Sequence, residues 1–368
     1  MNEAGSVHTG YMARAISLAK KGLYSTDPNP RVGCVIVKDG QIVGEGYHRK
    51  AGEGHAEVNA LAQAGDQAKG ATAYVTLEPC SHFGRTPPCS DGLIKAGVDN
   101  VVCAMTDPNP QVSGNGFKKL EDAGIHVTVG VLEQEARALN PGFIKRMETG
   151  MPFVRLKMAS SLDGRTAMAS GESQWITGAA ARSDVQKLRA RSSAIVTGIE
   201  SILKDDSSLT VRAHELGLET EQAECIAQRQ PLRVVLDSLG RIPTTAKILQ
   251  QSGETVVAVK HGVQLDMNND TLPLNHDANG LDLPGLLKAL AQRNCNEILV
   301  ETGATLAGQF VQQGLVDEMV LYMAPCFMGS DARPTLTMPF ENMAQKQMVK
   351  ILDTRMVGDD MRLTLSFS

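Results

Sequence analysis

The chain has 368 residues, of which 42% are hydrophobic and 21% are charged, a composition typical of a folded globular protein with about two domains of ~150 residues each. Its net charge of −5 argues against a nucleic acid as partner, because proteins that bind phosphate backbones usually carry a basic balance. No apolar run approaches the ~20 residues that span a bilayer, and the polar segment 1–10 lacks the apolar stretch of a signal peptide. We therefore expect a cytoplasmic protein with no membrane partner.

The first half of the chain alternates helices and strands. Two predicted strands, Gly33–Lys38 and Gln41–Tyr47, flank the dipeptide Asp39-Gly40, which is typical of a hairpin turn. The other predicted elements are helices over 8–22, 55–64, 89–96 and 116–123 and strands over 71–77, 100–105 and 126–129. This αββαβαβαβ order predicts a mixed or parallel sheet with helices on its faces.

A second α/β pattern begins near residue 150. The breaker residues around 140–142 and 149–152 predict a domain boundary at 148–151, with a first domain over 1–148 and a second over 151–368. The second domain is predicted to contain a helix over 179–190, with Thr177 as its cap, and strands over 153–159, 194–197, 232–237, 255–260, 297–301 and 317–323. A hairpin over 349–354 and 362–367 is expected to end the chain, and 213–231 is interpreted as an exposed, charged insertion.

One imidazole and two thiols in the first half form a candidate zinc site. His55 opens a predicted helix, Cys80 follows a predicted strand, and Cys89 opens the next helix. Three protein ligands are typical of catalytic zinc, which leaves its fourth position to water and lowers the pKa of that water toward ~7. Glu57, two residues after His55, is placed to carry protons from that water to a leaving amine without binding the metal. The alternative is a structural zinc site, for which His82 is the only local candidate as fourth ligand; we interpret His82 instead as a substrate or loop residue.

The order His-x-Glu, then Pro-Cys and a second Cys, resembles the signature of zinc-dependent nucleoside and nucleobase deaminases. Eight residues separate Cys80 from Cys89, where the usual spacing is two. That longer loop, with the segment Asn29-Pro30-Arg31-Val32-Gly33, resembles the deaminase half of the bifunctional riboflavin-biosynthesis enzymes. The loop departs from the pattern of tRNA and cytidine deaminases, which argues against those substrates.

Three segments of the second half carry a related resemblance. They are Ser161-Leu162-Asp163-Gly164-Arg165, the run from Asp205 to Arg212, and Glu301-Thr302-Gly303. The last is a strand-to-helix turn with free backbone N–H groups, which suits a phosphate, although alone it is weak evidence. Together and in this order they resemble the reductase half of the same family, a dihydrofolate-reductase-like domain that uses NADPH. Ser207 departs from the family, in which proline is common at that position.

The resemblance implies residue roles in the second domain. Implied NADPH contacts are Ala159, Trp175, Ser201, Asp205, Ser238 and the run Gly303, Ala304, Thr305, Leu306, Ala307, Gly308 and Gln309. Implied substrate contacts are Ser173, Arg189, Leu209, Arg212 and Glu301, with Arg189 on the substrate phosphate. Lys157 and Asp205 are candidates for assisting proton transfer.

The expected protein is a two-domain α/β enzyme, a cytidine-deaminase-like three-layer domain followed by a dihydrofolate-reductase-like domain. It would deaminate a phosphorylated diaminopyrimidine with Zn²⁺ and reduce the ribosyl group of the product with NADPH, as a homo-oligomer (dimer or tetramer). One rival hypothesis is a nucleobase or tRNA deaminase with a degenerate second domain. The other is a nucleotide-binding regulatory module with structural zinc.

Overall fold

The computed structural model describes residues 3–83, 87–265, 270–278 and 280–367. Residues 84–86, which belong to the long loop between the two candidate zinc cysteines, therefore lie outside the described residues. The chain divides into two compact units, Met1–Met151 (unit 1) and Pro152–Ser368 (unit 2). Among the described residues, no helix has the length and apolarity needed to cross a membrane.

Unit 1 is built on one five-stranded sheet. Its helices are α1 (Glu3–Ala19), α2 (Ala56–Ala64), α3 (Cys89–Ala96), α4 (Asn115–Asp122), α5 (Glu133–Leu139) and α6 (Pro141–Thr149). Its strands are β1 (Gly33–Lys38), β2 (Gln41–Tyr47), β3 (Thr72–Val75), β4 (Asn100–Cys103) and β5 (His126–Val129). The sheet order is β2-β1-β3-β4-β5, antiparallel across β2-β1-β3 and parallel from β3 to β5.

The sheet of unit 1 carries a hydrophobic core on each face. Side chains alternate along a strand, so Val35 and Val37 of β1 pack with α1, α5 and α6, whereas Cys34 and Ile36 pack with α2, α3 and α4. The result is the three-layer arrangement expected from the sequence. Glycine on β2 lets α2 lie close: a Cβ on Gly46 would be 2.3 Å from the carbonyl oxygen of Ala56.

Helices α5 and α6 differ from the sequence prediction, which placed breakers where α6 begins. Pro141 stands in the first turn of α6, where its missing N–H removes no helical hydrogen bond, and Asn140 connects the two helices. The Asn140 side chain also holds unit 1 together, because its Oδ1 accepts from the Arg31 backbone N–H at 2.7 Å and its Nδ2 donates to the Arg31 carbonyl at 2.9 Å.

Unit 2 contains a nine-stranded sheet in the order β11-β10-β9-β8-β14-β6-β15-β18-β17. The strands of unit 2 are β6 (Phe153–Ser161), β7 (Arg165–Ala167), β8 (Ala194–Gly198), β9 (Leu232–Leu236), β10 (Thr255–Lys260), β11 (Asp270–Leu274), β12 (His276–Asp277), β13 (Gly280–Leu281), β14 (Glu297–Glu301), β15 (Glu318–Ala324), β16 (Arg333–Pro334), β17 (Val349–Val357) and β18 (Asp360–Phe367). Of these, β7 pairs with β16 and β12 pairs with β13 outside the nine-stranded sheet. The helices of unit 2 are α7 (Ala179–Arg191), α8 (Ile199–Asp205), α9 (Thr220–Ala227), α10 (Lys247–Gln250), α11 (Leu283–Gln292) and α12 (Ala304–Gln312).

Seven neighbouring strands of this sheet, from β11 to β15, run parallel, and β18 and β17 complete one edge as an antiparallel hairpin. Helix α7 begins at the predicted residue, Ala179, but its cap differs from the prediction. Its N-cap is Gly178 rather than Thr177, and Asp360, at the start of β18, accepts the Gly178 N–H at 2.8 Å. A distant carboxylate therefore stabilises the start of this helix.

The segment 213–231 is not the exposed insertion that its charge suggested. It contains α9, and Leu216, Ala223 and Ile226 are buried, with Leu216 0% exposed. The segment is thus a packed part of unit 2.

Leu216→Ala tests this packing. Because the side chain is fully buried, its truncation should lower the free energy of unfolding of unit 2 by about 2–5 kcal/mol, measured by urea denaturation of the full chain. Leu218→Ala, two residues along at a half-buried position, is the matched control and should cost less. Equal effects of the two substitutions would contradict the packing role of Leu216.

Candidate active sites

Three side chains of unit 1 converge at the carboxyl end of β3. His55 is the N-cap of α2, Cys89 is the first residue of α3, and Cys80 follows β3. The Nδ1 atom of His55 lies 3.3 Å from the Cys89 sulfur and 3.7 Å from the Cys80 sulfur, and the three candidate ligand atoms lie within 4.8 Å of one another. Zn–N and Zn–S bonds at a tetrahedral angle require separations of about 3.5–3.8 Å, so these residues fit a zinc ion.

Hydrogen bonds favour the thiolate form of Cys80. The Cys89 thiol, then His55 and the Cys89 backbone N–H, lower the pKa of Cys80 well below its usual value, although burial acts against them. The Cys89 N–H lies 3.3 Å from the Cys80 sulfur and belongs to the first turn of α3, where the helix dipole also favours an anion. Cys80 is therefore prepared to bind a cation.

Glu57 lies beside this cluster, in the first turn of α2, and is 4% exposed. Burial, and next the Cys80 thiolate, raise the pKa of Glu57 to about 7. A carboxyl group with that pKa can both accept and donate a proton at neutral pH. His48, which is 2% exposed, packs its ring edge-on against His55 with 5.2 Å between ring centroids, and its Nε2 lies 3.1 Å from the Asn29 side-chain nitrogen.

A buried carboxylate that sequence reasoning missed lies two residues before Cys80. Glu78 is 3% exposed and accepts three backbone N–H groups, from Asp107 at 3.1 Å, Gly114 at 2.9 Å and Gly116 at 2.8 Å. These donors belong to the segment 107–116, which follows β4, the neighbour of β3. Glu78 therefore fixes this segment beside Cys80. Because its three donors are backbone groups, no sequence motif predicts this role.

Unit 2 contains a cavity of about 760 Å³ at the carboxyl ends of its parallel strands. It brings together most of the residues predicted to contact NADPH: Ala159, Ser201, Asp205, Ser238, Gly303, Ala304, Thr305, Leu306 and Gln309. It also includes four of the residues predicted to contact substrate: Ser173, Arg189, Leu209 and Glu301. Lys157 completes one wall.

Four of the predicted residues do not line the cavity. Ala307 is fully buried, and Gly308 faces the segment around Thr337, where a Cβ would lie 2.1 Å from the Thr337 carbonyl oxygen. The Arg212 side chain pairs with Glu215 at 2.6 Å. Trp175 is 70% exposed, and the Arg182 guanidinium lies 4.6 Å from the centre of its ring.

Charged groups concentrate at the β6 and β14 end of the cavity. Arg189 makes a bidentate ion pair with Glu301, at 2.6 Å and 2.9 Å, and donates to the Thr210 carbonyl at 3.1 Å. Arg189, and next Lys157, hold the pKa of Glu301 below its usual value although burial opposes them. Burial, and next Arg189, lower the pKa of Lys157 despite Glu301. Asp205 accepts a hydrogen bond from the Ser173 hydroxyl at 3.3 Å.

Comparison with known proteins supports the interpretation of both candidate sites. Residues 6–105 match the family model described as the cytidine and deoxycytidylate deaminase zinc-binding region, and residues 152–363 match the RibD C-terminal domain. The riboflavin biosynthesis protein RibD of Escherichia coli is 54% identical over 360 residues, covering 96% of this chain and 98% of that protein.

Two solved structures extend the similarity to the whole fold. Acinetobacter baumannii RibD has a TM-score of 0.92 at 51% identity and covers 99% of both chains. A diaminohydroxyphosphoribosylaminopyrimidine deaminase/5-amino-6-(5-phosphoribosylamino)uracil reductase from Thermotoga maritima has a TM-score of 0.87 at 32% identity and covers 100% of both chains.

The fold and the two sites define a two-part enzyme, a zinc-type deaminase followed by a reductase, and the predicted fold class is confirmed. The chain belongs to the RibD family of bifunctional riboflavin biosynthesis proteins. The predicted cofactors, Zn²⁺ and NADPH, fit its two halves.

Glu78→Gln tests the role of this carboxylate. The amide would direct an NH₂ group at a backbone N–H, so the segment 107–116 should loosen, at a cost of about 1–3 kcal/mol. Hydrogen–deuterium exchange at the amides of Asp107, Gly114 and Gly116 should accelerate. Glu121→Gln, at an exposed position of α4 in the same unit, is the control. Unchanged exchange at all three amides would show that Glu78 does not hold the segment.

Proposed function

We propose that unit 1 removes an exocyclic amine from 2,5-diamino-6-(5-phosphoribosylamino)pyrimidin-4-one, and that unit 2 reduces the ribosyl group of the deaminated product to a ribityl chain. The cluster of His55, Cys80 and Cys89 with Glu57 beside it carries the proposal, because this set of groups suits hydrolytic deamination. The substrate follows from the name of the Thermotoga maritima relative. We assign the deaminase domain to residues 1–148 and the reductase domain to 151–368.

The deaminase step needs an activated water and a proton carrier. His55, Cys80 and Cys89 would hold the zinc ion, which would supply a bound water with a pKa lowered toward ~7. Glu57 then takes a proton from the attacking water and delivers it to the amine that leaves. Burial raises the pKa of Glu57, which favours a carboxyl group that both accepts and donates a proton.

The reductase step needs a hydride donor beside the sugar and a group that supplies a proton. NADPH supplies the hydride when it is bound. The cavity residues that we assign to the cofactor are Ala159, Ser201, Asp205, Ser238, the turn 303–306 and Gln309. Ser173, Arg189, Leu209 and Glu301 hold the substrate, and Lys157 or Asp205 assists proton transfer.

The ion pair between Arg189 and Glu301 bears on the phosphate of the substrate. Among the described residues, Glu301 and Thr210 accept three of the five N–H donors of Arg189. Two N–H donors of Arg189 are then left for a phosphate. In this proposal Arg189 binds both Glu301 and the substrate phosphate. The sugar of the substrate then lies beside the ion pair of Arg189 and Glu301.

Strand β17 supports a homo-oligomer. It forms one edge of the nine-stranded sheet, opposite β11, and its residues Val349, Ile351, Leu352 and Met356 are between 40% and 60% exposed. An exposed, apolar edge strand is prone to aggregation unless it is covered. Strand-to-strand pairing with a second copy of the chain would satisfy its backbone groups and bury these side chains.

A cytoplasmic location remains part of the proposal. All seven cysteines are thiols rather than members of disulfides, and two of them form the candidate zinc site, which requires reduced thiols.

Mass analysis of the products tests the two reactions. The phosphorylated diaminopyrimidine should yield the deaminated compound without NADPH and the reduced, deaminated compound with it. A product that gains two hydrogens without losing the amine, or no reaction in either condition, would contradict the proposal.

Glu57→Gln should retain zinc and lower the deamination rate by about 10²–10⁴-fold, because an amide cannot carry the proton. Cys80→Ser should instead lose zinc, measured by metal analysis of the purified protein. Reduction of deaminated substrate should continue in both variants and serves as the internal control. Near-normal deamination in Glu57→Gln would remove Glu57 from its proposed role.

Ile351→Asp tests the proposed interface. A charge on β17 should be incompatible with its burial against a second copy, so the sedimentation mass should fall from that of an oligomer to that of the monomer. Ile42→Asp, at a 44% exposed position of the edge strand β2, is the control and should keep the oligomer mass. If both variants sediment like the unsubstituted protein, β17 is not the interface.

A further inference from the structure

A two-stranded ribbon of β7 and β16, outside the nine-stranded sheet, contributes one wall of the cavity in unit 2. The two strands pair antiparallel with Arg333 opposite Ala167, and both of these residues line the cavity. The turn that follows β7 adds Gly171 and, two residues further on, Ser173 to the same lining. The ribbon therefore brings Arg333, from late in the chain, into the same cavity wall as Ser173, a predicted substrate contact.

Hydrogen bonds on both sides of Arg333 fix the position of its backbone. Before it, the Ala332 carbonyl accepts from Nη1 of Arg165 at 3.2 Å. After it, Thr335 donates its backbone N–H and its hydroxyl to the Gly164 carbonyl, at 3.0 Å and 2.9 Å. Arg165 belongs to β7 and Gly164 to the turn before β7, so these bonds hold β16 against the start of the ribbon. Residue 333 thus has a defined place in the cavity wall.

The guanidinium of Arg333 lies against the backbone of Gly171. A Cβ at Gly171 would be 3.3 Å from Nη2 and 4.0 Å from Cζ of Arg333. Gly171 has a φ of 95°, and its N–H closes a turn by donating to the Met168 carbonyl at 2.9 Å. Glycine at this position therefore permits the turn and also leaves room for the guanidinium. That group lies two residues before Ser173, whose hydroxyl bonds to Asp205.

The cationic side chains that line the cavity differ in their partners. Among the described residues they are Lys157, Arg189, Lys204 and Arg333. The first two act on the same carboxylate, that of Glu301. Lys204 stands on α8 next to Asp205 and one turn after Glu200, two carboxylates that also line the cavity. In the described part of the chain, no ion pair and no hydrogen bond engages the guanidinium of Arg333, which is exposed. Its charge and its five N–H donors are therefore available to a ligand.

We propose that Arg333 binds the phosphate of the reductase substrate from the ribbon side of the cavity; this inference rests on the proposed function of unit 2. A phosphate monoester carries a charge of about −1.5 to −2 at neutral pH. Lys157, Arg189 and Glu301 are two cations and one carboxylate, so their net charge is at most +1. Arg333 supplies a further positive charge, and its planar guanidinium can bind two phosphate oxygens at once.

The place of Arg333 favours the substrate over the cofactor as the source of this phosphate. Its guanidinium lies at Gly171, in the turn that leads to Ser173, which the proposed function assigns to the substrate. The pyrophosphate of NADPH is assigned instead to the turn 303–306, where the first N–H groups of α12 suit it. Both ligands carry phosphate groups, so the experiment measures each of them separately.

Reduction of the deaminated substrate with and without its 5′-phosphate, at saturating NADPH, tests this role in the full chain. Arg333→Ala should raise the KM for the phosphorylated compound about 10-fold and leave kcat unchanged. This is the lower end of the loss for a charged hydrogen bond, because the guanidinium is exposed to water. The kcat/KM for the dephosphorylated compound should not change, nor should the Kd for NADP⁺ in calorimetric titration. Arg333→Lys should restore part of the affinity, since it keeps the charge but not the planar fork.

Arg293→Ala is the matched control, since Arg293 is also a partly exposed arginine of unit 2, but it pairs with Glu254 and Asp270 and does not line the cavity. It should leave the KM and the Kd unchanged. Three results for Arg333→Ala would overturn the role of Arg333 while leaving the proposed function intact: an equal loss of kcat/KM on both compounds, no loss on either, or weaker binding of NADP⁺ alone. Failure of the unsubstituted chain to reduce the phosphorylated compound would overturn the proposed function of unit 2, and this inference with it.

Discussion

Both sites depend on one constraint: a parallel sheet covered by helices leaves its strand ends as the place where polar groups can meet a ligand. In unit 1 the sheet is packed on both faces, and the zinc cluster forms where β3 ends and α2 and α3 begin. In unit 2 the cavity lies at the carboxyl ends of β6, β14, β8 and β9. The strands supply rigid positions, and the short turns after them supply the chemistry.

Buried charge at these strand ends is paired or hydrogen-bonded. Glu78 accepts three backbone N–H groups, and Glu301 is held by Arg189. A similar arrangement lies at the opposite ends of the strands, where Arg155, 1% exposed, pairs with Glu297 and Glu318. Removing one member of such a set would leave an uncompensated buried charge, which is strongly destabilising.

The elements with local signals were predicted closely. The Asp39-Gly40 turn located β1 and β2 to the residue, and α3, β5, β10 and β14 also have their predicted bounds. Helices α5 and α6 were missed because Pro141 resembles a helix breaker, although a proline is well tolerated in the first turn of a helix. The start of α7 at Ala179 was predicted, but not the carboxylate that caps it, because Asp360 lies 182 positions from Gly178 in the sequence.

The residues of the candidate sites also divide into those with a local sequence signal and those without one. His55, Glu57, Cys80 and Cys89 stand in a short motif, so they could be found from the sequence, whereas the pairing of Arg189 with Glu301 joins residues 112 positions apart. The residues of the run 303–309 illustrate a further limit. Side chains point around a helix with a period of 3.6 residues. Ala307 and Gly308 of α12 therefore lie on the packed side, whereas 303–306 and Gln309 line the cavity.

The single tryptophan gives unit 2 a built-in optical reporter. Trp175 is the only such residue in the chain, it is mostly exposed, and it lies beneath the Arg182 guanidinium in the segment between β7 and α7. That segment also carries Ser173, which bonds to Asp205 in the cavity wall. The tryptophan emission of the protein therefore comes from one place, beside the cavity. A nucleotide that absorbs light in the region of this emission can be followed by energy transfer from Trp175 without attaching a dye.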